Sequence, residues 1–265
     1  MTLSAVYDPT LSRIELNMTA AVGAPVTAVF DRSVDGITWT TIRGGSDVPA
    51  DFDNAGPVYD YEFPTGVLIT YRVRGYDAGG VLTNTDTALS IRDLDDVWLK
   101  VPAAPFLNQP VSVWDRSEVT RRSRSGVFDI VGRSNPVMVG DVASSISYTL
   151  ELQTTTLTEE ENLDYLFASG EVVFLQLPST VEYMQGGYFA VGNVSREPVN
   201  KVSAMRRWTV PLTGVAPPGP GVVGSAYVWT NVLADYASWT AVIAGETTWA
   251  DLLNNTGTPS DLIVP

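Results

Sequence analysis

Catalysis in this chain would have to rest on carboxylates, lysine, tyrosine or serine. There is no histidine, the commonest general base and a frequent transition-metal ligand. There is no cysteine either, hence no thiolate nucleophile, zinc cluster or disulfide. The densest carboxylates are the pair Asp95 and Asp96 and the run Glu159, Glu160 and Glu161. Neighbouring carboxylates serve as general acid and base when their surroundings pull the pKa values apart. The pair, however, falls in an irregular stretch. The three glutamates stand at a helix start, where capping and the helix dipole account for them. DFDNAG at 51–56 has the flavour of a calcium loop but lacks the remaining ligands of an EF-hand, and reads as a surface turn. GxGxxG, phosphate-loop and GxSxG patterns are absent. The expectation is a protein that is not an enzyme, with no catalytic residue, no cofactor and no metal.

Charge narrows the partners. The net charge is −14, made up of −6 over residues 1–93, −4 over 94–215 and −4 over 216–265. A chain negative in every region is a poor nucleic-acid binder, because neutralising phosphates needs clustered lysine and arginine. Arg121, Arg122 and Arg124 are the only basic cluster, read either as a solvated loop or as a contact to an acidic neighbouring subunit. No apolar run approaches the ~20 residues of a membrane helix. The first residues, MTLSAVYDPTLSR, lack the basic and apolar regions of a secretory signal, so synthesis in a cytoplasm is expected.

The elements that would hold such residues are mostly strands. In 1–93, RIELNMT (13–19), VTAVFDRS (26–33), ITWTTI (37–42), VYDYEF (58–63), LITYRVRGY (68–76) and VLTNTDTALSI alternate or run apolar. The Asp35-Gly36 and Gly79-Gly80 turns punctuate them. Even spacing without a helical period predicts an antiparallel sandwich. Residues 94–108 read as a docked connector, stiffened by prolines and alanines and pinned by Trp98, Leu99, Phe106 and Leu107. A second β-rich domain over 109–215 contains one helix, expected at 159–169. Thr158 and Glu161 have capping-box spacing there, Leu163, Leu166 and Phe167 form an apolar face, and Gly170 is the stop.

Two stretches resemble known families. FDRSVDGITWTTI with LITYRVRGYDAGG resembles a fibronectin type III domain, with Tyr71, Val73, Tyr76, Asp77 and Gly80 at that family's places and Gly75 where a small apolar residue is usual. Long strand, capped helix, core strand and hairpin, in that order, resemble the tail-tube and distal-tail fold of long-tailed bacteriophages. SRSGVFDIVGRSNPVMVGD, FASGEVVFLQLP, GGYFAVGNVS and RRWTVPLTGVAPP resemble minor tail proteins of phages of actinobacteria. These likenesses imply a mainly β fold: an N-terminal immunoglobulin-like sandwich, a tail-tube/distal-tail-like β-sandwich with one helix, and a C-terminal segment of short helices. They imply a structural virion protein of the tail tip or baseplate, forming or docking on a homo-oligomeric ring. Its partners would be tail-tube, tail-tip and hub proteins, it would touch the host surface if anything outside the tail, and it would let DNA pass without binding it tightly or entering a membrane. The long strand near 143–155 would line or brace the channel. The other reading is a carbohydrate- or cell-surface-binding adhesion module, which a planar exposed aromatic set flanked by polar side chains would favour.

Residues 216–265 begin with a proline-rich linker and continue as a ten-residue repeat opening at Trp229, Trp239 and Trp249. Two aliphatics follow each tryptophan at +3 and +4: Val232 and Leu233, Val242 and Ile243, Leu252 and Leu253. Ser238 and Thr248 suit N-caps of short helices. Helices this short need burial to persist, so Trp229, Trp239, Trp249, Leu233, Ile243 and Leu253 are the expected docking residues, against this chain's own body or a neighbouring subunit.

Overall fold

In the computed structural model the described residues are 2–19, 23, 25–51, 54–200, 204–219, 232–233, 235–246 and 252. The protein is mainly β, with two strand-built units and few helices. The first unit comprises β1 (Thr2–Asp8), β2 (Arg13–Thr19), β3 (Thr27–Ser33), β4 (Thr40–Thr41), β5 (Val48–Asp51), β6 (Asn54–Asp60), β7 (Leu68–Tyr76) and β8 (Leu82–Ile91). Antiparallel pairing puts β1, β2 and β6 in one layer and β4, β3, β7 and β8 in the other, with β5 bridging β6 and β3. The period of two explains the core. Ile14, Leu16 and Met18 of β2 face Ala28 and Phe30 of β3 and Ile69, Tyr71 and Val73 of β7, all buried.

The strand expected at 37–42 shrinks to β4 for a local reason. The Asp35 carboxylate accepts from the amides of Ile37 and Thr38 at 2.8 and 2.7 Å, and from the Ser33 hydroxyl at 2.9 Å. These bonds hold Asp35 well below the usual carboxylate range and take amides that a ladder would need. Ile37 is left exposed.

The second unit begins earlier than the composition suggested. β9 (Val97–Lys100) lies within the stretch read as a connector, yet it pairs on both sides, with β10 (Gln109–Arg116) and with β15 (Val173–Gln176). A single 3-10 turn (Pro105–Leu107) buries Phe106 and Leu107 beside it. After β11 (Thr120–Arg121), β12 (Gly126–Phe128) and β13 (Val137–Val139) come β14 (Ile146–Thr154), helix α1 (Leu157–Ala168), then β15, β16 (Gly187–Val191), β17 (Ser195–Pro198) and β18 (Arg206–Gly214). Because β14 pairs with both β10 and β18, the six strands β14, β10, β9, β15, β16 and β18 close into an antiparallel barrel without free edges. Tyr148, Leu150 and Leu152 of β14 and Trp208, Val210 and Leu212 of β18 fill it.

Helix α1 closes the barrel through Leu163 and Leu166. It starts two residues before the expected position. Thr156, not Thr158, is the N-cap, and Glu159 completes the capping box. TTTLTEEE offers that spacing twice, and the earlier register also places Glu160 between Arg196 and Arg206, at 3.3 and 3.5 Å. Gly170, with φ +67°, ends the helix as expected, in a conformation that a side chain would strain.

A polar seam joins the two units. Lys100, 1 % exposed, donates to the Ser12 carbonyl, to the Ser12 hydroxyl at 3.1 Å and to the Tyr61 carbonyl at 2.9 Å. Gln176 donates to the Phe63 carbonyl at 2.6 Å, Thr65 to the Leu177 carbonyl at 2.7 Å, and Ser179 to Asp93. Leu94 and Trp98 belong to the first core, whereas Leu99 belongs to the second.

Candidate functional site

Between β11 and β14 the chain leaves the barrel as a two-stranded arm, residues 120–147. Its base is the pairing of Thr120 and Arg121 with Ser147 and Ile146. Further out, Arg122 and Ser144 exchange bonds of 2.8 and 3.0 Å, and the Asp141 amide reaches the Arg124 carbonyl at 3.3 Å. β12 and β13 then pair from Gly126 opposite Val139 to Phe128 opposite Val137. At the tip the Arg133 amide donates to the Ile130 carbonyl at 3.0 Å, and Gly132 takes φ +86° in open space. At ~3.3 Å per residue the ribbon extends roughly 30 Å.

The arm breaks the usual rule for a surface ribbon. Val127, Phe128, Met138 and Val139 are each more than half exposed, and Val131 at the tip is wholly so. Successive residues of a strand point to opposite faces, so adjacent exposed pairs mean that neither face is covered. A two-stranded ribbon is marginal alone in water. Burying such side chains is worth about 1.5–3 kcal/mol each, so covering the arm would return on the order of 10 kcal/mol before the costs of association.

The basic residues Arg121, Arg122 and Arg124 all lie at the base of this arm and are exposed. The stretch that composition presented as a polar loop is therefore one half of a ribbon. Four arginines against two aspartates give residues 120–147 a charge of +2, in a chain of −14 overall.

The repeats sort their aliphatic pairs. Val232, Val242 and Leu252, the +3 residues, bury together with Tyr236 packed against them, in a cluster separate from both larger cores. Leu233 and Ile243, the +4 residues, are 77 % and 74 % exposed, and Trp239 is 55 % exposed. Ser238 caps α2 (Trp239–Gly245), accepting from the Ala241 amide at 3.3 Å. Trp229, Trp249, Leu253 and Thr248 lie outside the described residues. The ten-residue period places Val232, Val242 and Leu252 at the same position of each unit, and that recurrence is the sequence signal for their gathering.

The carboxylates considered for catalysis are placed apart. Asp95 and Asp96 are exposed beside the seam. Glu159 is held below its usual range by the Thr155 amide and completes the cap, while Glu160 pairs with two arginines. Asp51 and Asn54 pair across the β5–β6 hairpin. Among the described residues no three acidic side chains gather to hold a metal ion, and no helix is long and apolar enough to cross a membrane. Comparison with known family models gives no match, and no curated protein matches the chain in sequence.

Proposed function

We propose that this chain is a non-enzymatic structural subunit of a bacteriophage tail, placed at the tail tip or baseplate, and that it joins its neighbours through the arm. The observation that carries the reading is the uncovered apolar ribbon of residues 120–147 on an otherwise closed barrel. Its natural occupant is a second copy of this chain. The arm is the positive segment of a strongly negative molecule, and a ring brings each arm against the next acidic body. The resemblance of residues 94–265 to tail-tube and distal-tail proteins, drawn from the sequence, supports the same reading.

The test is the solution mass, by light scattering, of the full chain and of a variant in which residues 123–143 are replaced by a two-residue Asn-Gly turn. The expected result is a discrete multiple of 28.6 kDa for the full chain and a monomer for the variant. A monomer in both, or an oligomer that survives the deletion, would overturn the arm as the joining element.

A further inference from the structure

A second surface, on the barrel wall, has the make-up of a ligand site. Trp114 occupies the point in β10 where the register with β14 slips between Val113 and Asp115. A bulge of this kind re-aims a side chain, and here the indole is turned outward, 57 % exposed. The Arg207 guanidinium lies 5.0 Å from the ring centroid and is itself tied to Glu151. One face of the indole is thus supported, and solvent reaches the other. Tyr183, 65 % exposed, lines the same shallow depression, together with Asp115, Arg116, Ser117 and Glu118.

Both walls are fixed before any ligand arrives. Met184, beside Tyr183, is buried, and the Tyr148 hydroxyl donates to the Gln185 carbonyl at 3.0 Å. The Ser117 amide donates to the Thr149 carbonyl, and the Thr149 amide to the Ser117 hydroxyl, each at 2.8 Å. Half-buried Val113 is the only aliphatic side chain in the lining. Two exposed aromatic rings lining one depression with carboxylates, a hydroxyl and a guanidinium suit a ligand with a flat C–H face and a rim of hydroxyl groups. A nucleic acid would meet the negative charge of the whole chain.

From this arrangement we infer that the depression between Trp114 and Tyr183 binds pyranose units of a polysaccharide, one ring stacked on the free indole face. The site adjoins the base of the arm, since Ser117 pairs with Thr149 and Thr120 with Ser147 two residues away on β14.

The experiment is native electrophoresis of the full chain through gels containing a soluble β-glucan, an α-mannan or a galactan, followed by calorimetric titration with the hexasaccharide of whichever retards it. W114A and Y183A are the test variants, Leu89→Ser on β8 of the first unit, where Leu89 is exposed, is the control, and circular dichroism confirms folding of each. The expected result is retardation by at least one polysaccharide, weakened ten-fold or more in W114A and in Y183A and unchanged in the control. Absence of retardation by all three, or retardation equal in W114A, overturns the inference. So does a fall in oligomer mass in W114A without any polysaccharide effect, which would make this surface a subunit contact.

Discussion

The ammonium of Lys100 is held by both oxygens of Ser12, a residue 88 positions earlier in the chain. Ser12 adopts φ +48°, a left-handed conformation uncommon for serine, and this turns its carbonyl and hydroxyl to the same side. With the Tyr61 carbonyl as third acceptor and the Phe63 and Trp98 rings at 5.1 and 5.7 Å, the charge sits in an enclosure that both units build.

Burial pushes Lys100 down to about 7, from 10.5, against the pull of Asp60 and Glu62. The folded chain therefore releases this proton before the unfolded chain does. Between about pH 7 and 10.5 the unfolded state holds more protons, so stability rises with pH and is lost again as pH falls towards 7. Above about pH 9 the buried hydroxyls of Tyr59, Tyr61 and Tyr71, all pushed up by burial, act in the opposite sense. Urea midpoints measured from pH 6.5 to 9 should climb in the native chain and lose that climb in Lys100→Met. Equal slopes in the two would show that the lysine stays charged throughout.

Asp31 is 2 % exposed and accepts from Arg72 at 2.8 Å, Arg74 at 2.9 Å and the Thr41 hydroxyl at 2.9 Å. Asp31→Asn keeps the shape and removes the counter-charge of two arginines. The arginines are partly exposed, which lowers the cost to about 2 kcal/mol. Urea unfolding should show a lower midpoint with an unchanged slope, and an unaltered midpoint would show that water replaces the carboxylate fully.

Thr156→Ala removes the side-chain half of the α1 capping box and should cost about 1 kcal/mol. Thr156→Ser should recover most of it, because the hydroxyl alone accepts from the Glu159 amide at 3.2 Å. Thermal melting of the three chains gives the comparison, and a destabilised serine variant would point to the methyl group instead.

Replacing Val232, Val242 and Leu252 together with serine should abolish the helical signal of α2 while both larger units melt unchanged. The three residues form a cluster of their own. Replacing the exposed Leu233 and Ile243 should leave that signal in place. A lower melting temperature of the body in the triple variant would mean that the repeats are packed against it.

Strands that alternate over a long run were legible from the sequence, as in RIELNMT, LITYRVRGY and the stretch that became β14. There the side-chain period and the buried face coincide locally. β9 was not legible, because four residues flanked by aspartates and prolines carry little pattern and its partners lie in β10 and, far along the chain, in β15. In the arm, VFDIVG and PVMVGD were legible as short strands; that they pair into a ribbon outside the barrel was not, since its base is closed by Arg122 and Ser144 rather than by an apolar alternation. Of the docking residues, the sequence named the aliphatic pairs but could not say which member turns inward, because both members recur with the same ten-residue period. Trp114 escaped notice because a bulge, which leaves no mark in composition, sets its direction.

Trp98 and Leu99 are adjacent in the chain yet serve opposite cores. Tension between the two units therefore runs straight into β9, with no slack tether to absorb it. That strand is flanked on both sides by antiparallel ladders whose hydrogen bonds lie across the direction of pull. Rupture has to begin by shearing several of those bonds at once rather than by peeling them one at a time, and shear is the geometry in which a short strand resists force best.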